Sequence, residues 1–181
     1  MPLPKSILVL GLGNPFLSDD TIGLLAVEDA GRRYSQFQPW VDFQVDYSGN
    51  FDLIYRLSDY RHALIIDSIC TGEQAPGYIH EFTWEDFQEL RHRAAVNFHS
   101  FNLPTVMEIA KICGYAMPGE LRFLGIEGRE FTQFSAVPSW PLGPVLERIM
   151  QRVETALTDW TATAPKPGAA TISYTEDDAH V

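Results

Sequence analysis

The sequence predicts a three-layer α/β/α sandwich around a mainly parallel five-stranded sheet, with one strand running against the rest. Two observations carry this expectation. Residues 7–10 (ILVL) and 62–69 (HALIIDSI) are nearly continuous apolar runs, the pattern of strands buried on both faces of a parallel sheet. Segments of helical periodicity alternate with such runs, and glycine, proline, serine and asparagine punctuate the junctions, as in repeated strand and helix units.

The elements follow in order. Residues 7–10 form a first strand, ended by Gly11, Gly13, Asn14 and Pro15. Residues 19–33 then read as a helix, with Ile22, Leu25, Ala26 and Asp29 at helical spacing. Residues 41–47 (VDFQVDY) alternate as a strand with one more exposed face; "SGN" breaks it, and residues 51–59 suit a short helix. The run at 62–69 is a third strand that carries Asp67 near its end. Residues 78–84 alternate again, and their short link to the preceding strand predicts a hairpin partner or an antiparallel edge strand. A helix follows, with Asn102 as N-cap, Pro104 in its first turn and Gly114 at its end. Residues 121–126 give a fifth strand. Residues 141–160 form a long amphipathic helix with Val145, Ile149, Val153 and Leu157 on one stripe. Residues 1–160 thus make one domain. Residues 161–181, rich in small residues, proline and acid, read as a disordered tail.

Charge narrows the function classes. The 181 residues carry 24 acidic against 13 basic side chains, a formal net charge of -11. That balance opposes binding to a nucleic-acid backbone or an anionic membrane. The N-terminal apolar run is too short for a signal h-region or a membrane span, and two cysteines, Cys70 and Cys113, make no disulfide framework, so a reducing cytosol is expected. Both cysteines are expected to be buried thiols rather than nucleophiles.

In an open α/β sheet, ligands bind beyond the carboxyl ends of the strands. The segments there carry Asp19 and Asp20, Asp46, and Asp67. Carboxylates brought close raise one another's pKa, so such a cluster demands a shared proton or a cation, and with one imidazole it would suit zinc, nickel or a similar divalent ion. His99, just before a helix, is the candidate imidazole; His62, His80, His92 and His180 read as packing or solvated residues. Taken singly, Asp19 is expected to cap the first helix, Asp20 is evenly balanced between capping and chemistry, and Asp46 alone is structural. Asp67, at the end of a buried strand, favours function because an unpaired charge there would be costly.

Three segments together resemble the [NiFe]-hydrogenase maturation endopeptidases. "ILVLGLGNPFLSDDTIG" is similar to the family's strand, Gly-x-Gly-Asn turn, acid pair and helix. "ALIIDSICTGEQAPG" resembles its third strand with its acid and turn, and "FHSFNLPTVMEIAKICGYAMPGELRFLGIEG" resembles its His, helix, Pro, strand and Gly segment. The resemblance spans residues 6 to about 157. It implies a peptidase that removes a C-terminal extension from a hydrogenase large-subunit precursor after nickel insertion. The nickel is carried by the substrate, with another divalent metal able to stand in for it in vitro. Asp20, Asp67 and His99 are the implied metal contacts; with Asp46 as a candidate base they make up the implied catalytic set. A cytoplasmic monomer is expected, and Phe16, Leu17, Tyr47, Phe98 and Trp140 are candidate docking residues. Two departures stand out: the first acid is more often Glu in the family, and "DYSGN" at 46–50 replaces an Asp-Gly-Gly-Thr type loop. The loop points to a soluble bidirectional, NAD(P)-linked hydrogenase as target. A non-proteolytic nickel-sensing chaperone of the same fold is the alternative. "GLGNP" also opens peptidyl-tRNA hydrolases, but the sequence lacks their early histidine and has the wrong charge for tRNA.

Overall fold

The computed structural model describes residues 6–47, 51–86, 97–98 and 103–162. Its elements are β1 (Ile7–Leu12), a 3-10 turn (Ser18–Thr21), α1 (Ile22–Arg33), β2 (Val41–Asp46), α2 (Leu53–Leu57), β3 (His62–Cys70), β4 (Ile79–Thr83), β5 (Asn97–Phe98), α3 (Leu103–Ile112), β6 (Glu120–Glu127) and α4 (Leu142–Ala162). The sheet order is β2-β1-β3-β6-β4. β1, β2, β3 and β6 are parallel, and β4 pairs antiparallel with β6. The five-stranded mixed sheet is therefore as expected, with β4 an edge strand rather than a hairpin partner of β3. A two-residue strand, β5, was not foreseen; it pairs antiparallel with the end of β3, Ile69 opposite Phe98.

The period of two along each strand explains why β1 and β3 read as unbroken apolar runs. Ile7, Val9, Leu64 and Ile66 face one layer, where they meet Ile22, Ala26 and Val27 of α1 and Val145, Ile149, Val153 and Leu157 of α4. Leu8, Leu10, Ala63 and Ile65 face the other, against Leu53 and Leu57 of α2 and Val106 and Ala110 of α3. Each fully buried Leu or Ile contributes about 1.5–3 kcal/mol. The Tyr34 hydroxyl donates to the Met150 carbonyl at 2.9 Å, and Arg33 forks onto Glu147, locking α1 to α4.

The helix ends follow local chemistry. Gly114 closes α3 at φ 77°, with Tyr115 N–H donating to the Ala110 carbonyl and Gly114 N–H to that of Lys111, the Schellman arrangement. The expected Asn102 cap lies outside the described residues, as does the expected tail beyond Ala162. The first helix starts later than expected: Ser18–Thr21 form a 3-10 turn, and α1 begins at Ile22.

Glycine fixes how tightly that turn is seated. A Cβ on Gly23 would fall inside contact distance of the Leu12 and Ile66 carbonyl oxygens, and one on Gly11 would strike the Gly23 carbonyl. The start of α1 therefore rests on the backbones of β1 and β3 with no side chain between them. Gly23→Ala is expected to destabilise the protein by about 2–3 kcal/mol through overpacking against rigid backbone, read as a lower urea midpoint.

Candidate functional site

The carboxyl ends of β1, β2, β3 and β6 bring the chain's buried acids to one edge. In register, Leu12 of β1 faces Asp46 of β2, and Gly11 faces Ile66 of β3, which puts Asp67 level with Leu12 on its other side. Asp46 and Asp67 are thus two strand spacings apart, about 10 Å between backbones. Both are buried, as are Asp19, Asp20 and Glu127.

Asp20 and Asp67 meet at Ser68. The Ser68 hydroxyl donates to Asp20 Oδ1 at 2.5 Å, and Ser68 N–H donates to Asp67 Oδ1 at 2.8 Å. Burial pushes the Asp67 carboxyl well above its usual range, the negative charge of Asp20 adds to the rise, and the Ser68 N–H only partly opposes it. At Gly13, φ is 150° and a Cβ would collide with the Asp20 carbonyl, which accepts the Asn14 N–H at 3.1 Å. The Gly-x-Gly-Asn stretch is therefore a clasp on the backbone of Asp20.

Asp19 does not cap the helix; the 3-10 turn has no side-chain cap. Its carboxylate instead accepts the N–H groups of Arg129 (2.8 Å), Glu130 (2.9 Å) and Ser139 (2.6 Å), and the Ser139 hydroxyl at 3.1 Å. Burial alone would raise its pKa, but these donors outweigh that cost and hold the carboxyl below its ordinary value. The pinned segment, residues 128–139, also takes the backbone N–H groups of Ser18 and Asp19 on the Gln133 and Glu130 carbonyls. Helix capping was the common role for an acid at this position, and long-range pairing with a loop over a hundred residues away left no local signal.

Asp46 ends β2, and Arg56 Nε of α2 pairs with its Oδ2 at 2.7 Å. This fits the structural reading of the residue, and it means that the candidate base is already engaged by a cation. Arg56→Ala is expected to cost about 1–2 kcal/mol, because it removes the charge facing a buried carboxylate, with the exposed part of the pair discounted. A thermal melt measures it.

Glu127, at the carboxyl end of β6, was missed. Its carboxylate accepts Thr71 N–H, the Thr71 hydroxyl and Gly72 N–H, and lies 3.1 Å from His80 Nε2. It ties down the turn that follows β3. The only sequence signal was its position at the end of an apolar strand, the same signal that singled out Asp67.

Other expectations divide. His62 stacks on Trp160 and His80 pairs with Glu127, so both are packing residues. His99, His92 and His180 lie outside the described residues. Among the described residues no three ligating side chains converge on one point. Asp20 and Asp67 do meet at Ser68, and carboxylate oxygens brought together are donors that suit a divalent ion. The buried-thiol expectation fails for Cys113: helical spacing from Val106 and Ala110 would bury it, but α3 stops at Ile112 and the turn carries the thiol into solvent. Cys70 is partly buried; both cysteines are free. Trp140, which the sequence leaves open between docking and core, packs against the α1 and α4 core, whereas Phe16 and Tyr47 are 66% and 61% exposed. Phe134, also exposed, joins them: Leu17 bridges to Phe134, and Ser135 N–H donates to the Phe16 carbonyl. The Phe98 side chain lies outside the described residues.

No helix among the described residues is long and apolar enough to cross a membrane. No family model matches the chain. It is 28% identical over 120 residues to the hydrogenase 2 maturation protease of Escherichia coli (strain K12), covering 66% of this chain and 71% of that protein. In fold it is similar to the hydrogenase maturating endopeptidase HybD from E. coli, with a TM-score of 0.66 at 21% identity over 86% of this chain and 94% of that one. The [NiFe] hydrogenase maturation protease HybD from Thermococcus kodakarensis gives a TM-score of 0.62 at 22% identity, covering 84% and 99%. The likeness to hydrogenase maturation endopeptidases that the motifs carried is thus found again, in sequence with a curated member and in fold with solved ones.

Proposed function

We propose that this protein is an endopeptidase that removes the C-terminal extension of a [NiFe]-hydrogenase large-subunit precursor once nickel is in place. The observation that carries this reading is the Asp20 and Asp67 pair at the carboxyl edge of the sheet. Burial and the Asp20 charge both oppose ionisation of Asp67, so the pair gains when a substrate presents a cation. Asp20 and Asp67, with His99, would complete the coordination of nickel already held by the substrate, and recognition would report that metal insertion is finished. Hydrolysis adds water across the peptide bond: a base takes one proton, hydroxide joins the carbonyl carbon, and the proton passes to the departing amine. With Asp46 engaged by Arg56, the attacking water is activated by the substrate's metal, or by a carboxylate of the Asp20 and Asp67 pair acting as base. The exposed Phe16, Tyr47 and Phe134 give the precursor an apolar rim to dock on, independent of the protein's negative charge. The cytosol is the compartment that fits, with the protein acting as a monomer.

The test is incubation with nickel-loaded and nickel-free precursors, read by mass spectrometry. The reading expects loss of C-terminal mass from the loaded form alone. Equal cleavage of both forms would overturn nickel recognition, and stable binding without mass loss would assign the chaperone role instead.

A further inference from the structure

β2 is an edge strand with a groove beside it. The Trp40 carbonyl accepts Ile7 N–H at 3.1 Å, and the Asp46 carbonyl accepts Gly13 N–H at 3.3 Å, so both carbonyls face β1. Main-chain groups alternate in direction along a parallel strand. Those of Phe43 and Val45 therefore face outward on partly exposed residues, where no described strand pairs with them, whereas Val41 at the start of the strand is fully buried. Alongside runs a groove of about 500 Å³ between this edge and α1, lined by Val27, Glu28, Gly31, Asp42, Phe43 and Val45. The absence of a side chain at Gly31 keeps it open: a Cβ there would sit 3.5 Å from Phe43.

We propose that this edge is the binding track for the precursor's C-terminal extension, which adds to the sheet as a further strand beside β2. The inference rests on the peptidase reading above. An unpaired row of main-chain donors and acceptors next to a row of apolar side chains selects an extended peptide. Glu28, on the α1 wall of the groove, favours a basic residue within it, whereas the Asp42 carboxylate is taken by the Tyr60 hydroxyl at 2.8 Å. The track is continuous with the candidate site, because β2 ends at Asp46 in register with Leu12 and, one strand further, Asp67. A strand added outside β2 lies three spacings from β3, about 14 Å, a gap that four or five extended residues cross at about 3.3 Å each. The track therefore binds residues at that remove from the scissile bond.

Two measurements test it. A synthetic peptide with the sequence of the precursor's C-terminal extension is titrated into the full chain while amide exchange is followed by NMR. Slowed exchange at Phe43 and Val45 is expected. Gly31→Gln fills the groove from the α1 side and leaves the main chain of β2 unaltered, and it replaces a helix-interior glycine with a better helix former, so the fold survives. It is expected to raise KM for precursor cleavage by about tenfold while leaving kcat unchanged. Cleavage by the wild-type protein with no protection at these amides, or with unchanged KM in Gly31→Gln, overturns the track and leaves the peptidase reading intact. Failure of the wild-type protein to cut any loaded precursor sinks that reading instead. Protection that appears without peptide and grows with protein concentration would assign the edge to a second copy of this chain.

Discussion

Asp67→Asn is expected to abolish precursor cleavage, by about a hundredfold or more, while raising the melting temperature of the metal-free protein. The two effects have one cause. Burial and the Asp20 charge hold the native Asp67 pKa above its ordinary value of 3.8. Between that value and the raised native one, the unfolded chain has released the proton that the native state still holds, so stability falls as pH rises through this window. Above the native pKa the loss is complete and levels off. Asn removes the ionisation, and the variant should be more stable at neutral pH by something on the order of 1 kcal/mol, about 2–4 °C in Tm. Below pH 3.8 the advantage should vanish. Melts across pH alongside the cleavage assay decide the matter. A variant that cuts at the wild-type rate would remove Asp67 from the site, and one destabilised at neutral pH would show its charge to be structural.

Asp19→Asn should do the opposite. Four donors meet on that carboxylate, and the amide offers one oxygen and a clashing NH2 in its place. Buried backbone N–H groups left without an acceptor cost about 1–3 kcal/mol each, so a loss of roughly 2–4 kcal/mol is expected. Its pH dependence has the reverse sign as well. The native pKa is depressed, so the contribution is fully present above the unfolded value and is lost as pH falls through the native one. In the variant that part of the acid transition should flatten. Urea midpoints read the stability, and amide exchange at Arg129, Glu130 and Ser139 reads the loosened loop.

These two acids, Asp67 and Asp19, show where sequence reading succeeds and where it stops. The strands, their order of burial and the α4 stripe follow from periodicity, because burial on one or both faces imposes a period that the residues cannot hide. Asp67 was legible for the same reason: an acid at the end of an apolar run is out of place unless something uses it. Asp19 was not, since its partners are backbone N–H groups that any sequence at 128–139 could supply. Glu127 and the pairing of Asp46 with Arg56 escaped for a related reason. Both depend on which loop or helix lands opposite a strand end, and periodicity is silent on that. Gly11 read as a turn signal, whereas its work, with Gly23, is done between a helix start and two strand backbones.

The clasp between residues 18–19 and the segment at 128–139 has a consequence for the order in which the protein comes into being. Each of its hydrogen bonds spans more than a hundred residues. At a synthesis rate of about 5–20 residues per second, the first acid loop therefore waits several seconds on the ribosome for the strand that will hold it. Until β6 and the residues after it emerge, the partners that seat Asp20's neighbour do not exist. A chain that stops short of residue 139 should accordingly have the Asp20 loop without the contacts that seat it, and on the peptidase reading it should cut no precursor.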